Sequence, residues 1–238
     1  MKKRTIGILG GMGPAATVDL FGRIVRATPA RTDQEHIPIL IFNDTAIPDR
    51  SQAILHGGAD PLPPMQAGLD LLARMGAELI AIPCNTAHHY WAQLQAGVEI
   101  PVLNMITETV QAIRRDHPHV ERVGIMATSG TLAVGLYQDA LRAADLTPVE
   151  PTTDEVVQMM EAIYGGRGVK AGFETGMAQE LLLDVGSALI ARGAQVLILG
   201  CTEIPLAVHD GDLPVPLIAS NQVLAEAAVR ESLGIGRG

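Results

Sequence analysis

The sequence predicts an α/β protein made of two pseudo-symmetric halves, each built on a parallel sheet. Short apolar runs alternate along the chain with longer segments of helical period, a pattern typical of parallel sheets with covered faces. Aromatic residues make up only 3% of the 238 residues and hydrophobic residues 47%, so the core must be aliphatic, as is usual in parallel sheets. The sequence also repeats itself, which favours two homologous halves over one large domain.

The repeat is anchored on the only two cysteines of the chain. Cys84 and Cys201 each close a stretch that begins with Gly-Ala and continues through a polar residue and a short apolar run. Their offset is 201 − 84 = 117, and Gly7 and Gly124, which lie in matching apolar runs, share it, since 124 − 7 = 117. Two cysteines at equivalent strand ends indicate a shared chemical role, because sites in such sheets lie outside the carboxyl ends of the strands.

A third pair of anchors, Pro101 and Pro216, keeps the order of the repeat with an offset of 216 − 101 = 115. We therefore expect a first half formed by residues 1–103 together with a C-terminal segment of about 215–238. The second half is expected to span residues 104–214. The C-terminal helix is expected to pack back on the first half.

Each half is predicted to alternate strands with helices. In the first half we expect a strand at 5–9, a helix from 14 to about 27, a strand at 36–42, a polar loop at 43–50, a helix at 62–75, a strand at 79–82, a helix starting near 86, a strand at 99–103 and a helix at 105–116. In the second half we expect a strand at 122–126, helices at 132–143 and 153–164 around a strand at 147–150, a helix at 175–192, a strand at 196–199 and a last helix at 221–232. Thr152 or Thr153 is expected to cap the helix at 153–164.

Composition and charge exclude several classes of function. A net charge of −9 argues against nucleic acid or an anionic membrane as a partner. No apolar run approaches the roughly 18 residues of a membrane span, and the apolar run after Met-Lys-Lys-Arg is too short for a signal peptide. Two cysteines without a disulfide framework are typical of a reducing compartment. We expect a cytoplasmic protein.

The residues around the two cysteines predict acid–base chemistry. Each cysteine follows a buried strand and precedes a predicted helix start, where free N–H groups and partial positive charge favour the thiolate. We therefore expect the thiol pKa values to fall from about 8.5 toward neutrality. A pseudo-twofold would bring Cys84 and Cys201 to opposite sides of one cleft. One thiolate would then remove a proton from carbon while the opposing thiol returns one to the other face, with backbone N–H groups stabilising the carbanion.

Three motifs resemble the signatures of the aspartate/glutamate racemase superfamily, and the aspartate racemase branch in particular. They are Gly7-Ile-Leu-Gly-Gly-Met-Gly-Pro14, Pro83-Cys-Asn-Thr-Ala-His88 and Gly200-Cys-Thr-Glu-Ile-Pro205, and the resemblance covers essentially the whole chain. It implies two Rossmann-like domains with the active site between them, in a homodimer. It also implies cofactor-independent racemisation of a small amino acid, with Cys84 and Cys201 as the two bases.

The resemblance also implies a set of substrate-binding residues. Arg50 and Lys170 match basic positions thought to hold substrate carboxylates, and Thr128 matches a site threonine. The remaining expected contacts come from the glycine loop and from the residues beside the cysteines: Met12, Gly13, Asn85, Thr86 and Thr202. The chain departs from many aspartate racemases at Ala219-Ser220-Asn221 and at Leu224, where a histidine would fall, which leaves a different or broader amino acid specificity open.

Other functions remain as alternatives on the sequence. One is a superfamily relative with a nucleophilic cysteine, such as a maleate isomerase, and another is a non-enzymatic thiol redox sensor. The segment 11–16 fits Gly-x-Gly-x-x-Ala, but the acid expected about 20 residues later is missing, so nucleotide binding is disfavoured. A zinc site from Cys84, His88 and Cys201 has suitable ligand types but not the spacing of a structural site. His88 is a further candidate for a catalytic role.

Overall fold

The computed structural model describes residues 3–235, and it contains seven strands in two parallel sheets. The first sheet has the order β2-β1-β3 and the second the order β5-β4-β6-β7. The strands are β1 (Ile6–Gly10), β2 (Ile39–Asn43), β3 (Leu79–Ala81), β4 (Arg122–Met126), β5 (Thr147–Val149), β6 (Val196–Leu199) and β7 (Leu217–Ala219). The predicted α/β class with parallel sheets is confirmed.

Eleven α-helices and three short 3-10 helices connect these strands within the described residues. The α-helices are α1 (Pro14–Ala27), α2 (Arg50–His56), α3 (Leu62–Arg74), α4 (Trp91–Ala96), α5 (Met105–Asp116), α6 (Ser129–Ala133), α7 (Leu136–Ala143), α8 (Thr153–Tyr164), α9 (Met177–Ala191), α10 (Ile204–Ala207) and α11 (Ser220–Leu233). The 3-10 helices are Asp33–Glu35, Thr86–Tyr90 and Val169–Ala171. None of the helices in residues 3–235 is both long and apolar enough to cross a membrane.

The chain divides into two compact units, each with its own sheet. One unit holds the residues up to Glu108 and those from Asn221 onward, and the other is Thr109–Ser220. In the first unit, α1 and α11 cover one face of the sheet and α3 covers the other, each with aliphatic side chains. The domain bounds expected from the sequence, 1–103 with about 215–238 and 104–214, stay a prediction.

The register of the two sheets reproduces the sequence repeat. Gly7 on β1 pairs with Ile80 on β3, and Gly124 on β4 pairs with Leu197 on β6, so both partners are displaced by 117. The slip to 115 is reproduced as well, since Val102 forms a bridge with Ile80 while Leu217 pairs with Leu197 (217 − 102 = 115). The two units are thus built on one plan, with β1 equivalent to β4 and β3 to β6.

Two equivalent glycines, Gly7 and Gly124, show why part of the repeat is retained in the sequence. A Cβ added to Gly7 would lie 2.9 Å from the Cβ of Ala77, and one added to Gly124 would lie 3.0 Å from the Cβ of Ala194. Ala77 and Ala194 are themselves 117 residues apart and follow the helices that pack on the central strands. Close approach of chain segments therefore requires glycine in the middle of both central strands.

The structure corrects three predicted elements and adds α2. The strand expected at 99–103 is a single bridge at Val102. The helix expected at 132–143 is two helices, α6 and α7, separated by Gly135 at φ +69°. The helix expected near 86 begins as a 3-10 helix, and α2 was not predicted. Thr152 caps α8 in a capping box with Glu155, one of the two caps expected.

Candidate active site

The glycine loop after β1 is held in one conformation by the first turn of α1. Gly11 has φ +94°, and a Cβ there would lie 2.2 Å from the carbonyl oxygen of Asp44, so only glycine fits. The Thr17 hydroxyl accepts a hydrogen bond from the Gly11 N–H at 3.0 Å and donates one to the Gly13 carbonyl at 3.0 Å. Pro14 then begins the helix, as expected for a first-turn proline. The loop that carries Met12 and Gly13 is therefore preformed.

Arg50 supports the same loop from the other side. The Arg50 side chain is buried, and its Nη2 donates to the Met12 carbonyl at 2.9 Å while its Nη1 donates to the Pro48 carbonyl at 3.0 Å. Asp49 caps α2 by accepting from the Gln52 N–H, which fixes where the arginine leaves the backbone. The guanidinium thus ties the glycine loop to the segment before α2.

Cys84 lies just beyond β3, in a buried turn. Its N–H donates to the Ile82 carbonyl at 2.8 Å, and Asn85 and Thr86 beside it are buried as well. The chain then enters the 3-10 helix Thr86–Tyr90 rather than a long α-helix. Helix α4 (Trp91–Ala96) follows this 3-10 helix directly.

His88 holds the turn that carries Cys84. Its Nδ1 lies 2.8 Å from the Cys84 carbonyl oxygen and its Nε2 lies 3.3 Å from the Leu103 carbonyl oxygen. Burial lowers the pKa of the imidazole, which favours the neutral ring near pH 7, and the shorter of the two backbone contacts is the one made by Nδ1. Both ring nitrogens face the backbone, which assigns His88 to positioning rather than to proton transfer with the substrate.

Cys201 occupies the equivalent place after β6, with a different set of neighbours. Its side chain is 6% exposed, and its Sγ lies 3.0 Å from Oε2 of Glu203. Because a carboxylate only accepts, the thiol is the donor in this contact. The Thr202 hydroxyl donates to the same oxygen at 3.2 Å. The buried Glu203 carboxylate thus faces the sulfur directly.

A lysine completes this cluster. Lys170 Nζ lies 2.5 Å from the second oxygen of Glu203, with the glutamate side chain 3% exposed and the lysine side chain 23% exposed. Lys170 is presented by the 3-10 helix Val169–Ala171, and its Nζ also lies 5.2 Å from the centre of the Tyr164 ring. The ammonium therefore neutralises a buried carboxylate of the protein itself.

The pKa of the Cys201 thiol shifts in the opposite direction from the one expected for a cysteine that precedes a helix. Burial raises the pKa of this thiol well above its usual value, and the Glu203 charge raises it further, while Lys170 opposes them. The helix that follows is only the four residues of α10, too short to supply a compensating field. The expectation of a lowered pKa is therefore wrong for Cys201.

Thr128 occupies the position in its unit that Gly11 of the glycine loop occupies in the first unit. It follows β4 as the glycine loop follows β1, and 128 − 117 = 11. Its buried hydroxyl lies 3.1 Å from the Thr131 hydroxyl, and it precedes the first residue of α6. Each unit therefore has two strand ends that carry predicted site residues.

Comparison with known proteins decides the family. A model of the Asp/Glu/hydantoin racemase family matches residues 9–228. The chain belongs to this family.

Curated and solved relatives of this family resemble the chain over its length. The broad specificity amino-acid racemase RacX of Bacillus subtilis is 25% identical over 94% of this chain and 96% of its own. Glutamate racemase of Corynebacterium glutamicum is 29% identical over 82% of this chain and 69% of its own. The solved structure of Picrophilus torridus aspartate racemase covers 97% of this chain and 94% of its own, with 30% identity and a TM-score of 0.85.

The racemase fold places most predicted residues of this family member at strand ends, in separate groups within each unit. Met12, Gly13 and Arg50 form one group, Cys84, Asn85 and Thr86 a second, and Cys201, Thr202 and Lys170 a third. Their catalytic and binding roles stay predictions. In residues 3–235, no group of three or more His, Cys, Asp or Glu side chains is arranged to hold a metal ion.

Sequence reasoning gave no role to the most closely engaged side chain of the site. Glu203 lies in the third motif, and an acid two residues after a cysteine, inside an apolar segment, is a signal in itself. Thr17 and Tyr137 also had no predicted role. Tyr137 is fully buried, and a Cβ on Gly200, next to Cys201, would lie 2.9 Å from its ring.

Proposed function

We propose that this racemase-family chain interconverts the enantiomers of a free amino acid without a cofactor, using Cys84 and Cys201 as two bases. The observation that carries the proposal is the equivalence of the two thiols. Each lies immediately past the strand that pairs with the central strand of its sheet, 117 residues from the other. A repeat that keeps a reactive side chain at the same strand end in both units supports a reaction with one base for each face of the substrate.

The proposed reaction moves two protons and leaves no net charge behind. The Cys84 thiolate takes the α-proton, and the electron pair of the broken C–H bond delocalises into the substrate carboxylate. The Cys201 thiol then gives its proton to the opposite face of the α-carbon, which forms the enantiomer. Cys84 is now the thiol and Cys201 the thiolate, and exchange with water restores the starting form. The reverse direction uses the same steps with the cysteines exchanged.

The negative charge that develops on the substrate carboxylate has to be stabilised by preorganised donors. We assign this role to the N–H groups of Met12 and Gly13 and to the side chains of Asn85, Thr86 and Thr128. Because the Thr202 hydroxyl donates to Glu203, Thr202 is proposed to contact the substrate through its backbone N–H. Arg50 contributes by fixing the Met12 carbonyl and with it the glycine loop. Lys170 contributes beside Cys201, where it carries the positive charge.

The substrate is proposed to be aspartate, glutamate or a broader set of amino acids. The relatives are named for aspartate, for glutamate and for broad specificity. Two positions at which the chain departs from many aspartate racemases are structural in this protein. Leu224 is fully buried in the core of its unit, and the Asn221 amide donates to the Ala16 carbonyl and to Asp19. Their structural roles account for these two departures, and the substrate panel described below decides the specificity.

The test is proton NMR of a panel of single L-amino acids in deuterium oxide with the purified protein. The proposal predicts loss of the α-proton signal for at least one amino acid, accompanied by formation of its D-enantiomer on a chiral column. A 5-substituted hydantoin and maleate serve as further arms, because the family description includes hydantoin racemases and a nucleophilic cysteine would suit maleate. Turnover of either one, with every amino acid left unexchanged, would overturn the assignment.

We further propose that the protein works as a homodimer in the cytoplasm. Both cysteines are free, and a two-thiol mechanism needs a reducing compartment to keep them so. The resemblance to homodimeric racemases supports the dimer. Light scattering of the purified protein at several concentrations measures the mass, and a mass of one chain throughout would contradict the dimer.

A further inference from the structure

The buried carboxylate of Glu203 accepts three donors, and one of them is the catalytic thiol. Its Oε2 receives the Cys201 thiol at 3.0 Å and the Thr202 hydroxyl at 3.2 Å, and its Oε1 receives the Lys170 ammonium at 2.5 Å. With the proton on sulfur, every contact in this cluster is favourable. With the proton removed, a thiolate would lie 3.0 Å from a carboxylate in a buried site, where repulsion is poorly screened.

The other groups around the sulfur do not offset this repulsion. Lys170 is the cation that acts on Cys201, but it is engaged with the far oxygen of Glu203. Tyr137 packs from α7, and burial raises the pKa of its phenol, so the ring stays neutral and supplies no charge. The charges and the burial around the Cys201 sulfur therefore favour the thiol over the thiolate.

We propose that Glu203, with its charge balanced by Lys170, is a positioning residue that holds resting Cys201 as the thiol, so that Cys84 is the cysteine that begins as thiolate. This inference rests on the proposed two-base function and gives each cysteine a defined starting state. A two-base racemase is active only with one thiol and one thiolate, and two identical thiols would divide this population equally between the two mixed states. The Lys170–Glu203 pair selects one of the two mixed states.

The effect on kinetics has a definite form. Enantiomers have equal free energy in water, so kcat/KM must be the same in both directions at every pH, whatever the resting state. The acidic limb of its pH profile reports formation of the first thiolate, and the alkaline limb reports loss of the remaining thiol. Under this proposal Glu203 controls the alkaline limb, because the remaining thiol is Cys201.

The decisive experiment reads the thiol directly. The chain has two cysteines, so the Cys84→Ser protein contains Cys201 as its single thiol, and the ultraviolet absorbance of the thiolate can be titrated against pH without substrate. Glu203→Gln in this background should lower the apparent pKa, and Lys170→Met should raise it, each by about 1–3 units, as expected for removal of a charge close to the group. A role limited to folding would not move the two variants in opposite directions.

Glu155→Gln is the matched control, since Glu155 forms an ion pair with Arg192 in the same unit and its substitution should leave the Cys201 titration in place. Shifts in the same direction for Glu203→Gln and Lys170→Met, or no shift in either, would overturn the proposal. If Glu203→Gln does not fold, the partly exposed Lys170→Met decides alone: a raised apparent pKa supports the proposal and a lowered or unchanged one contradicts it. The titration requires no turnover, so the two proposals can fail separately. Unshifted thiol pKa values would overturn the role of Glu203 without bearing on racemisation. Absence of racemisation would overturn the proposed function without changing the thiol titration.

Discussion

The two units share one backbone plan but surround their cysteines with different chemistry. At the offset of 117, Asn85 corresponds to Thr202 and Thr86 to Glu203. Beside Cys84, the contacts are made by the backbone and by the neutral imidazole of His88. Beside Cys201, they are made by a buried carboxylate that is paired with a lysine. The repeat thus fixes where each thiol lies, and the residue two positions later differs in charge.

This difference shows how two homologous halves can take unequal parts in a symmetric reaction. A racemase must transfer protons at both faces of the α-carbon, and a repeated scaffold provides one base for each face. It must also begin each turnover with unlike protonation states on its two bases, and a perfectly repeated site would divide its molecules equally between the two mixed states. Under the proposal above, a single acidic residue, present in one unit and replaced by threonine in the other, makes these two states unequal.

The largest expected effect comes from removing either thiol. Cys84→Ser and Cys201→Ser should each lower racemisation in both directions by about 10²–10⁴-fold, because every turnover needs a base on both faces. Polarimetry or chiral chromatography measures the rate, and circular dichroism checks that the variants fold. Loss in one variant with normal racemisation in the other would show that the two units do not share the reaction.

The comparison itself can be tested by giving the first unit the acid of the second. Thr86→Glu places a carboxylate two residues after Cys84, as Glu203 follows Cys201. We expect the acidic limb of the kcat/KM profile to move to higher pH by about 1–3 units, because the new charge disfavours the first thiolate. Thr86→Gln has nearly the same size without the charge and is the control. An equal shift in both variants would mean that bulk, and not charge, is responsible.

A smaller effect is expected at Arg50, which organises the glycine loop of the first unit. Arg50→Ala removes hydrogen bonds to the Met12 and Pro48 carbonyls, and hydrogen bonds to charged groups contribute about 1.5–3 kcal/mol each. Since the guanidinium acts through the loop, kcat/KM should fall by similar factors for an acidic and a neutral substrate. A loss confined to the acidic substrate would instead make Arg50 a ligand of the substrate side chain.

The smallest effect is expected on stability, through His88. Burial lowers the pKa of this imidazole below its usual value of 6.5, so the unfolded chain binds the proton more tightly than the folded protein does. The contribution of His88 to stability is therefore full above pH 6.5 and is lost as the pH falls below it. The free energy of unfolding, measured with urea above and below pH 6.5, should fall less at low pH in His88→Gln than in the unmodified protein. His119→Gln, at an exposed histidine, is the matched control, and an equal flattening there would remove His88 as the cause.

The parts of the molecule that the sequence predicted well are those fixed by burial. Short aliphatic runs at 5–9, 79–82, 122–126 and 196–199 form the strands of both sheet centres, because such runs leave few alternatives in a parallel sheet. The offset of the sequence repeat recurs in the register of both sheets, since a glycine of the central strand meets an alanine at the equivalent place in each unit. Local features outside the aliphatic runs were less predictable, and α2, which opens with the buried Arg50 after a polar loop, was missed.

The chemistry of the site was less predictable than its position. A sequence shows that each cysteine precedes a turn, but not how long the following helix is or which side chains fold back on the sulfur. The contact between Cys201 and Glu203 spans only two residues, yet it depends on a side-chain direction that spacing alone does not determine. The sign of the pKa shift at Cys201 therefore came out wrong from the sequence, because desolvation and one carboxylate outweigh a four-residue helix.

The central claim is that each cysteine serves one face of the substrate, and α-proton exchange in the single-cysteine proteins tests it most directly. Each variant is incubated in deuterium oxide with one pure enantiomer, and the α-proton signal is followed by NMR. By resemblance to the family, Cys84 removes the proton from the D-enantiomer and Cys201 from the L-enantiomer. The account predicts slow exchange of the L-enantiomer alone in Cys84→Ser and of the D-enantiomer alone in Cys201→Ser, without racemisation in either. Exchange of both enantiomers by one variant, or full racemisation with a single cysteine, would contradict it.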